Sequence, residues 1–165
     1  MKRITIGGKE YTFKFSVAAS LYDDCTKALL NGFVTGGRVE EATRQSDIEG
    51  VIDGTLSTFA NIPQKAITMF YAGLLEYHGD EIKSLKDARE LIREYLEENK
   101  DEEGNWSISF FDVLQEMMTI MAEDNFFALI GLGKMIDQTF QTEEEPQKTE
   151  TPKKRGRKKS QVGNN

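Results

Sequence analysis

Cysteine and histidine are almost missing from this chain of 165 residues, which contains one of each, Cys25 and His78. A single cysteine excludes an internal disulfide, and this pair cannot supply the ligands of a structural zinc site. No apolar run approaches the roughly 20 residues that a membrane-spanning helix requires. Residues 1–11 contain a basic pair but no apolar signal core, which predicts a cytosolic protein.

Sequence signatures of catalysis are also lacking. No Gly-x-Ser-x-Gly motif, His-x-x-x-His motif or spaced acidic cluster occurs. Residues 131–134, Gly-Leu-Gly-Lys, follow a predicted helix and lack the further glycine and the Ser/Thr of a phosphate loop. Cys25 has no basic neighbour, and no carboxylate or nucleophile is spaced to work with His78. We therefore predict no enzymatic activity and no catalytic, cofactor-binding or metal-binding residue.

Charge of the two signs is unevenly distributed along the chain. There are 28 acidic and 21 basic residues, and six of the basic ones form a cluster at 153–159 that contains no acid. The rest of the chain contains the other 15 basic residues and all 28 acidic residues, so its formal charge is about -13. Such an acidic body repels nucleic acid. The candidate polyanion-binding residues are Lys153, Lys154, Arg155, Arg157, Lys158 and Lys159.

The basic cluster leaves two interpretations open. Arg-Gly-Arg flanked by lysines resembles the core of an AT-hook, which lays arginines in a narrow A·T minor groove. Lys158 stands where proline usually follows the second arginine. Alternatively, the cluster has no specific partner, as is common for short basic ends, and binds polyanions weakly and in a salt-sensitive manner.

Two short alternating segments around a glycine pair predict an N-terminal β-hairpin. Residues 4–6 and 11–15 alternate between apolar and polar side chains, and Gly7-Gly8 suits a tight turn. The apolar side chains of each strand share one face. Because an isolated hairpin is marginally stable in water, we expect this one to pack against helices.

Two amphipathic segments follow the hairpin. The first is predicted to begin at the N-cap Ser16 and to end at Asn31-Gly32, before a polar loop at 32–45. A capping box at 46–49 then predicts a second helix. Its predicted buried stripe consists of Ile48, Val51, Ile52, Leu56 and Phe59.

Two further helices have clear start signals. Pro63 suits the first turn of a helix that continues to His78 and has the most regular apolar pattern of the chain. Ser84, with Asp87 three residues later, begins the next helix. Residues 99–107 are predicted to form a turn in which Trp106 covers the end of the helical bundle.

The segment 109–132 is apolar over most of its circumference and is therefore expected to be the helix that the fold surrounds. Asp124-Asn125 is a predicted interruption. Its clustered methionines fit either a buried core or an adaptable binding surface. On the second interpretation, the candidate client-binding residues are Phe110, Leu114, Met117, Met118, Met121, Phe126 and Phe127.

These patterns predict a mainly α-helical domain at 1–141, with about five helices and an N-terminal β-hairpin at 1–15. A short final helix is predicted at 134–140. Residues 142–165 lack any apolar period and are expected to be disordered.

Residues 4–15, Ile-Thr-Ile-Gly-Gly-Lys-Glu-Tyr-Thr-Phe-Lys-Phe, followed by a helix, resemble the start of the tail assembly chaperones of long-tailed phages of Gram-positive hosts. The resemblance extends over residues 1–140 to the overall plan of a small acidic protein with a hairpin, amphipathic helices and a charged C-terminus. It implies a non-enzymatic protein of the host cytoplasm that needs no cofactor. Its partner would be the helical tape measure protein during tail assembly, and it would be absent from the finished tail.

The same resemblance implies that the chain is the short form of a pair made by ribosomal frameshifting. Lys153-Lys154 and Lys158-Lys159 are codon pairs that can supply an adenine run for slippage. The longer form would bring in the tail tube protein as a further partner, and self-association along the client is a companion hypothesis. Two alternatives remain open: a DNA-associated protein that uses the basic cluster, and a structural component of the virion tail.

Overall fold

The computed structural model describes residues 1–132, except for the side chains of residues 32–42 and residue 58. The predicted helix at 134–140, the tail and the basic cluster lie outside the described residues. In chain order the elements are β1 (Lys2–Ile6), β2 (Lys9–Phe13), α1 (Val17–Ser20), α2 (Asp23–Arg44), α3 (Ile48–Ala60), α4 (Ile62–His78), α5 (Leu85–Glu98), α6 (Phe110–Glu123) and α7 (Phe126–Leu129). The predicted fold class, mainly helical with an N-terminal antiparallel hairpin, is confirmed.

Strands β1 and β2 pair antiparallel as the predicted hairpin, with Ile4 opposite Tyr11. Gly7 and Gly8 connect the strands with φ angles of 58° and 73°, a left-handed conformation that glycine adopts without steric cost. The inward side chains of both strands are buried, as the alternation predicts. The hairpin therefore presents one apolar face to the helices.

The hairpin docks on α4 through its second strand. The backbone N–H of Lys14 donates to the carbonyl of Gly73 at 2.8 Å, and that of Thr12 donates to Nε2 of His78 at 2.9 Å. A Cβ atom at Gly73 would lie 3.0 Å from the Phe13 ring, so glycine permits this close approach. His78 thus acts as a hydrogen-bond acceptor for the hairpin, which gives it a structural role.

Helix α4, rather than the segment 109–132, is the helix that the fold surrounds. Five consecutive residues, 66–70, are buried, and because successive residues turn by 100° they cover the whole circumference. Strand β2 and the helices α1, α2, α5 and α6 all pack against it. The expectation that 109–132 is central is wrong because α6 buries one face on α4 and leaves the other to solvent.

Helix α6 begins at a capping box of Ser109 and Asp112, and it ends at the predicted interruption, Asp124-Asn125. Asn125 is left-handed, with φ 55°, and α7 follows. The Asp124 carboxylate accepts from the N–H of Phe15 at 2.8 Å and pairs with the N-terminal amine. Asp124 therefore connects the C-terminal end of α6 to residues at both ends of the β-hairpin.

The region between residues 23 and 60 differs most from the prediction. Helix α2 continues to Arg44, so the predicted loop at 32–45 is wrong. Gly36 and Gly37 lie within this helix, where glycine is unfavourable. The packing of α2 against α3 opposes that cost. The predicted capping box is also wrong, because Ser46 is left-handed and the Asp47 carboxylate instead accepts from the N–H of Gly50 at 3.0 Å.

No described side chain between residues 43 and 61 is buried. The predicted buried stripe of α3 is therefore wrong. The half-buried positions Gly50, Val51, Gly54 and Thr55 lie on another face, and α3 packs mainly on α2. The other four residues of the predicted stripe, Ile48, Ile52, Leu56 and Phe59, face solvent because α3 packs on α2 through its opposite side.

Candidate functional site

The seven candidate client-binding residues of α6 and α7 do not form a surface. Met117, Met121 and Phe126 are 0% exposed and belong to the core, which corrects their assignment to a client surface in this fold. The other four, Phe110, Leu114, Met118 and Phe127, are partly buried and packed against that core. The physical reason is the packing of this side of α6 on α4.

Val113 and Ile120 are apolar residues of α6 that are not among the candidates predicted from the sequence. Both are fully buried, and with Met117 and Met121 they form a stripe at i, i+4, i+7 and i+8. This spacing is the sequence signal that distinguishes the buried residues of α6 from its exposed ones. Phe111 lies off the stripe and is 48% exposed.

An apolar stripe on α3 is the first surface that could hold a helical partner. Ile48, Ile52, Leu56 and Phe59 are 74%, 51%, 62% and 62% exposed. Their spacing places them within about 80° of one another around the helix, along a length of about 17 Å. An uninterrupted apolar face of this length on an exposed helix is typical of helix–helix association.

A groove between α5 and residues 106–110 is the second candidate surface. It has a volume of 570 Å³ and shares no residue with the α3 stripe. Buried Ile92 and Leu96 of α5 form part of its lining. The remaining lining residues are Arg89, Arg93, Glu97, Trp106, Ile108, Ser109 and Phe110.

Trp106 lies on this groove and does not cover the bundle. It is 58% exposed, which makes the predicted capping role wrong. The ammonium of Lys100 lies 3.9 Å from the centroid of its ring, in a cation–π contact, and the two residues also form an isolated β-bridge. The tryptophan is thus held in place although it contributes little to the core.

The turn at 101–105 fixes the position of Trp106. One Asp101 carboxylate oxygen accepts from the backbone N–H groups of Glu103 at 3.0 Å and Asn105 at 2.8 Å. The Asn105 amide donates to the other oxygen at 3.1 Å. These donors, Asn105 first, hold the pKa of Asp101 below its usual value because they stabilise the ionised carboxylate. Gly104, at φ 83°, provides the left-handed residue that the turn requires.

Cys25 is not a nucleophile in this fold. Its side chain is fully buried, and burial raises the pKa of the thiol to about 12. At pH 8 only about one thiol in ten thousand would be ionised, compared with roughly a quarter in an unfolded chain.

We expect an Ellman-type disulfide reagent to leave Cys25 unmodified for hours at pH 8 in the native protein and to react within minutes in denaturant. The absorbance of the released thiolate measures both rates. Rapid reaction of the native protein, with circular dichroism unchanged, would contradict the buried placement of Cys25.

Among the side chains that the structure describes, no three His, Cys, Asp or Glu residues lie close enough together to hold a metal ion. Among the helices described, none is both long and apolar enough to cross a membrane. Comparisons of the chain with protein-family models, curated proteins and solved structures find no match.

Proposed function

We propose that this protein is a non-enzymatic tail assembly chaperone of a long-tailed phage. It binds the tape measure protein in the host cytoplasm during tail assembly and is absent from the mature virion. The exposed apolar stripe on α3 carries the proposal, and the N-terminal resemblance to this class supports it. The confirmed hairpin and helical plan are compatible with that resemblance.

The α3 stripe has the form that a helical client requires. A long helical protein exposes apolar stripes of its own until it is assembled, and a second apolar helix face covers them. Fully burying an aliphatic or aromatic side chain stabilises by about 1.5–3 kcal/mol, so burying the exposed parts of four side chains would contribute about 4–8 kcal/mol. Association itself costs an amount of similar size, at least about 4 kcal/mol.

This balance predicts that one chaperone attaches weakly and reversibly. Several copies along a long client would together keep it soluble, and each could leave as the tail forms. The excess of acidic residues in the chain supports this role because repulsion between like-charged complexes opposes aggregation.

The test is coexpression with the tape measure protein of the same phage, followed by measurement of the dissociation constant. Leu56→Asp places a carboxylate within the stripe and is expected to weaken client binding about 100-fold, through lost apolar contact and charge burial. Leu21→Asp is the matched control, because Leu21 is 77% exposed and lies outside α3. Circular dichroism should show both variants folded.

Equal client binding by both variants would refute the role of the stripe. Mass spectrometry of purified virions separates the proposed function from its structural alternative. An assembly chaperone should be missing from the particles, whereas a component of the tail should be present at a fixed number of copies per virion.

A further inference from the structure

The groove between α5 and residues 106–110 is preformed, apolar inside and rimmed by charge. Ile92 and Leu96 are buried residues of the core and form part of the groove's lining. Trp106 stands at its edge, fixed by Lys100 and by the turn that precedes it. Because these α5 side chains and Trp106 are already ordered, binding a ligand would cost little conformational entropy at this site.

Two of the three charged residues that line the groove are arginines, although the chain as a whole carries a net charge of -7. Arg89 and Arg93 lie one helical turn apart on α5, and both are exposed. Arg93 pairs with Glu90 at 2.8 Å, whereas Arg89 forms no ion pair with any carboxylate among the described side chains. The rim also contains Glu97, but Lys100 pairs with it at 2.7 Å.

We propose that this groove binds an acidic amphipathic helix of a partner protein. A large apolar side chain of the partner would enter between Leu96 and Trp106, while carboxylates one helical turn apart would meet Arg89 and Arg93. Charge complementarity favours this occupant, because two guanidinium groups border the apolar groove and guanidinium forms paired hydrogen bonds with carboxylate. This site is independent of the α3 stripe and does not rest on the proposed function.

The shape of the groove favours a peptide segment over a compact ligand. It is open to solvent and follows α5 from Arg89 to Glu97, a length of about 12 Å at 1.5 Å per residue. Two turns of a partner helix span the same length. Exposed Trp and Arg side chains beside an apolar groove are also the residue types most enriched among energetically dominant interface positions.

The protein provides its own probe, because Trp106 is the single tryptophan of the chain. The full-length protein would be titrated with a 14-residue helical peptide that has leucines at i and i+4 and glutamates flanking them. Control peptides of the same pattern would have glutamine or lysine in place of glutamate. We expect a saturable blue shift of tryptophan emission with the glutamate peptide, and binding about tenfold tighter than that of the lysine peptide.

Charge reversal on the protein gives the matched test. Arg89→Glu combined with Arg93→Glu should reverse the preference, so that the lysine peptide binds tighter than the glutamate peptide. Lys86→Glu is the control, because Lys86 is an exposed basic residue of α5 that does not line the groove. That variant should retain the original preference.

The proposal would be overturned if none of the peptides caused a saturable shift or if the glutamate and lysine peptides bound with equal affinity. An unchanged preference in the folded double variant would also overturn it. Binding of the glutamine peptide as tightly as the glutamate peptide would show that the arginines make no contribution, and it would count against the proposal in the same way.

Discussion

Phe13→Ala is expected to lower the free energy of unfolding by about 3–5 kcal/mol, which is the range for removing a fully buried phenylalanine. The ring is 0% exposed, and its centroid lies 4.7 Å from that of Phe70 in an edge-on arrangement. It also touches the backbone of α4 at Gly73, where no side chain intervenes. Its removal would leave a cavity in the contact between hairpin and helix that neither element could close.

Urea denaturation followed by circular dichroism at 222 nm measures this effect. Val17→Ala is the control, because Val17 is an apolar residue close by in sequence that is mostly exposed, and it should change stability by less than about 0.5 kcal/mol. Similar midpoints for the two variants would show that the hairpin does not dock on α4 in the way described here.

Met121→Ala should lower the free energy of unfolding by about 2–5 kcal/mol. Met121 is fully enclosed at the face of α6 that packs on α4, so its truncation leaves unfilled space in the core. A methionine kept for binding at the surface would cost much less, because surface substitutions usually change stability by less than about 0.5 kcal/mol. The size of the loss therefore distinguishes core from client surface.

The matched control lies on the same helix. Phe111→Ala removes a larger side chain from a position that is half exposed, and we expect the smaller loss of stability. If instead Phe111→Ala unfolded the protein more readily than Met121→Ala, α6 would have to be rotated from the orientation described here.

Local features of the fold could be predicted because their causes are local. Gly7-Gly8 between alternating segments specifies a hairpin, since the turn needs two left-handed residues and the alternation selects the buried face. Ser84 and Ser109 each accept from a backbone N–H three residues later, which is a contact that the sequence spacing alone permits. Predictions of this kind depend on neighbours along the chain.

The errors concern which apolar face meets which partner. The pattern of α3 correctly predicts an amphipathic helix. It also predicts a buried stripe, whereas the structure leaves Leu56 and Phe59 exposed. The glycines in α2 predict the end of a helix, yet α2 continues through them to Arg44 and packs against α3. An apolar stripe indicates that a helix face packs against another surface. It does not show whether that surface belongs to the same chain.

The candidate sites were harder to predict from the sequence than the fold. The groove combines α5 residues with the segment 106–110, and nothing in the sequence indicates that Arg89 and Trp106 border one surface. The methionines of α6 were ambiguous for the opposite reason, because side chains that suit a core also suit a binding surface.

The order of apolar and polar residues, the caps and the glycine turn by themselves determined that this chain forms a hairpin followed by helices. Only the tertiary structure decided that α4 is enclosed, that the methionines Met117 and Met121 fill the core, and that the α3 stripe remains uncovered. The reason is physical: backbone hydrogen bonds and caps are formed between residues close in sequence, whereas burial is a competition among all apolar faces for a limited shared interior.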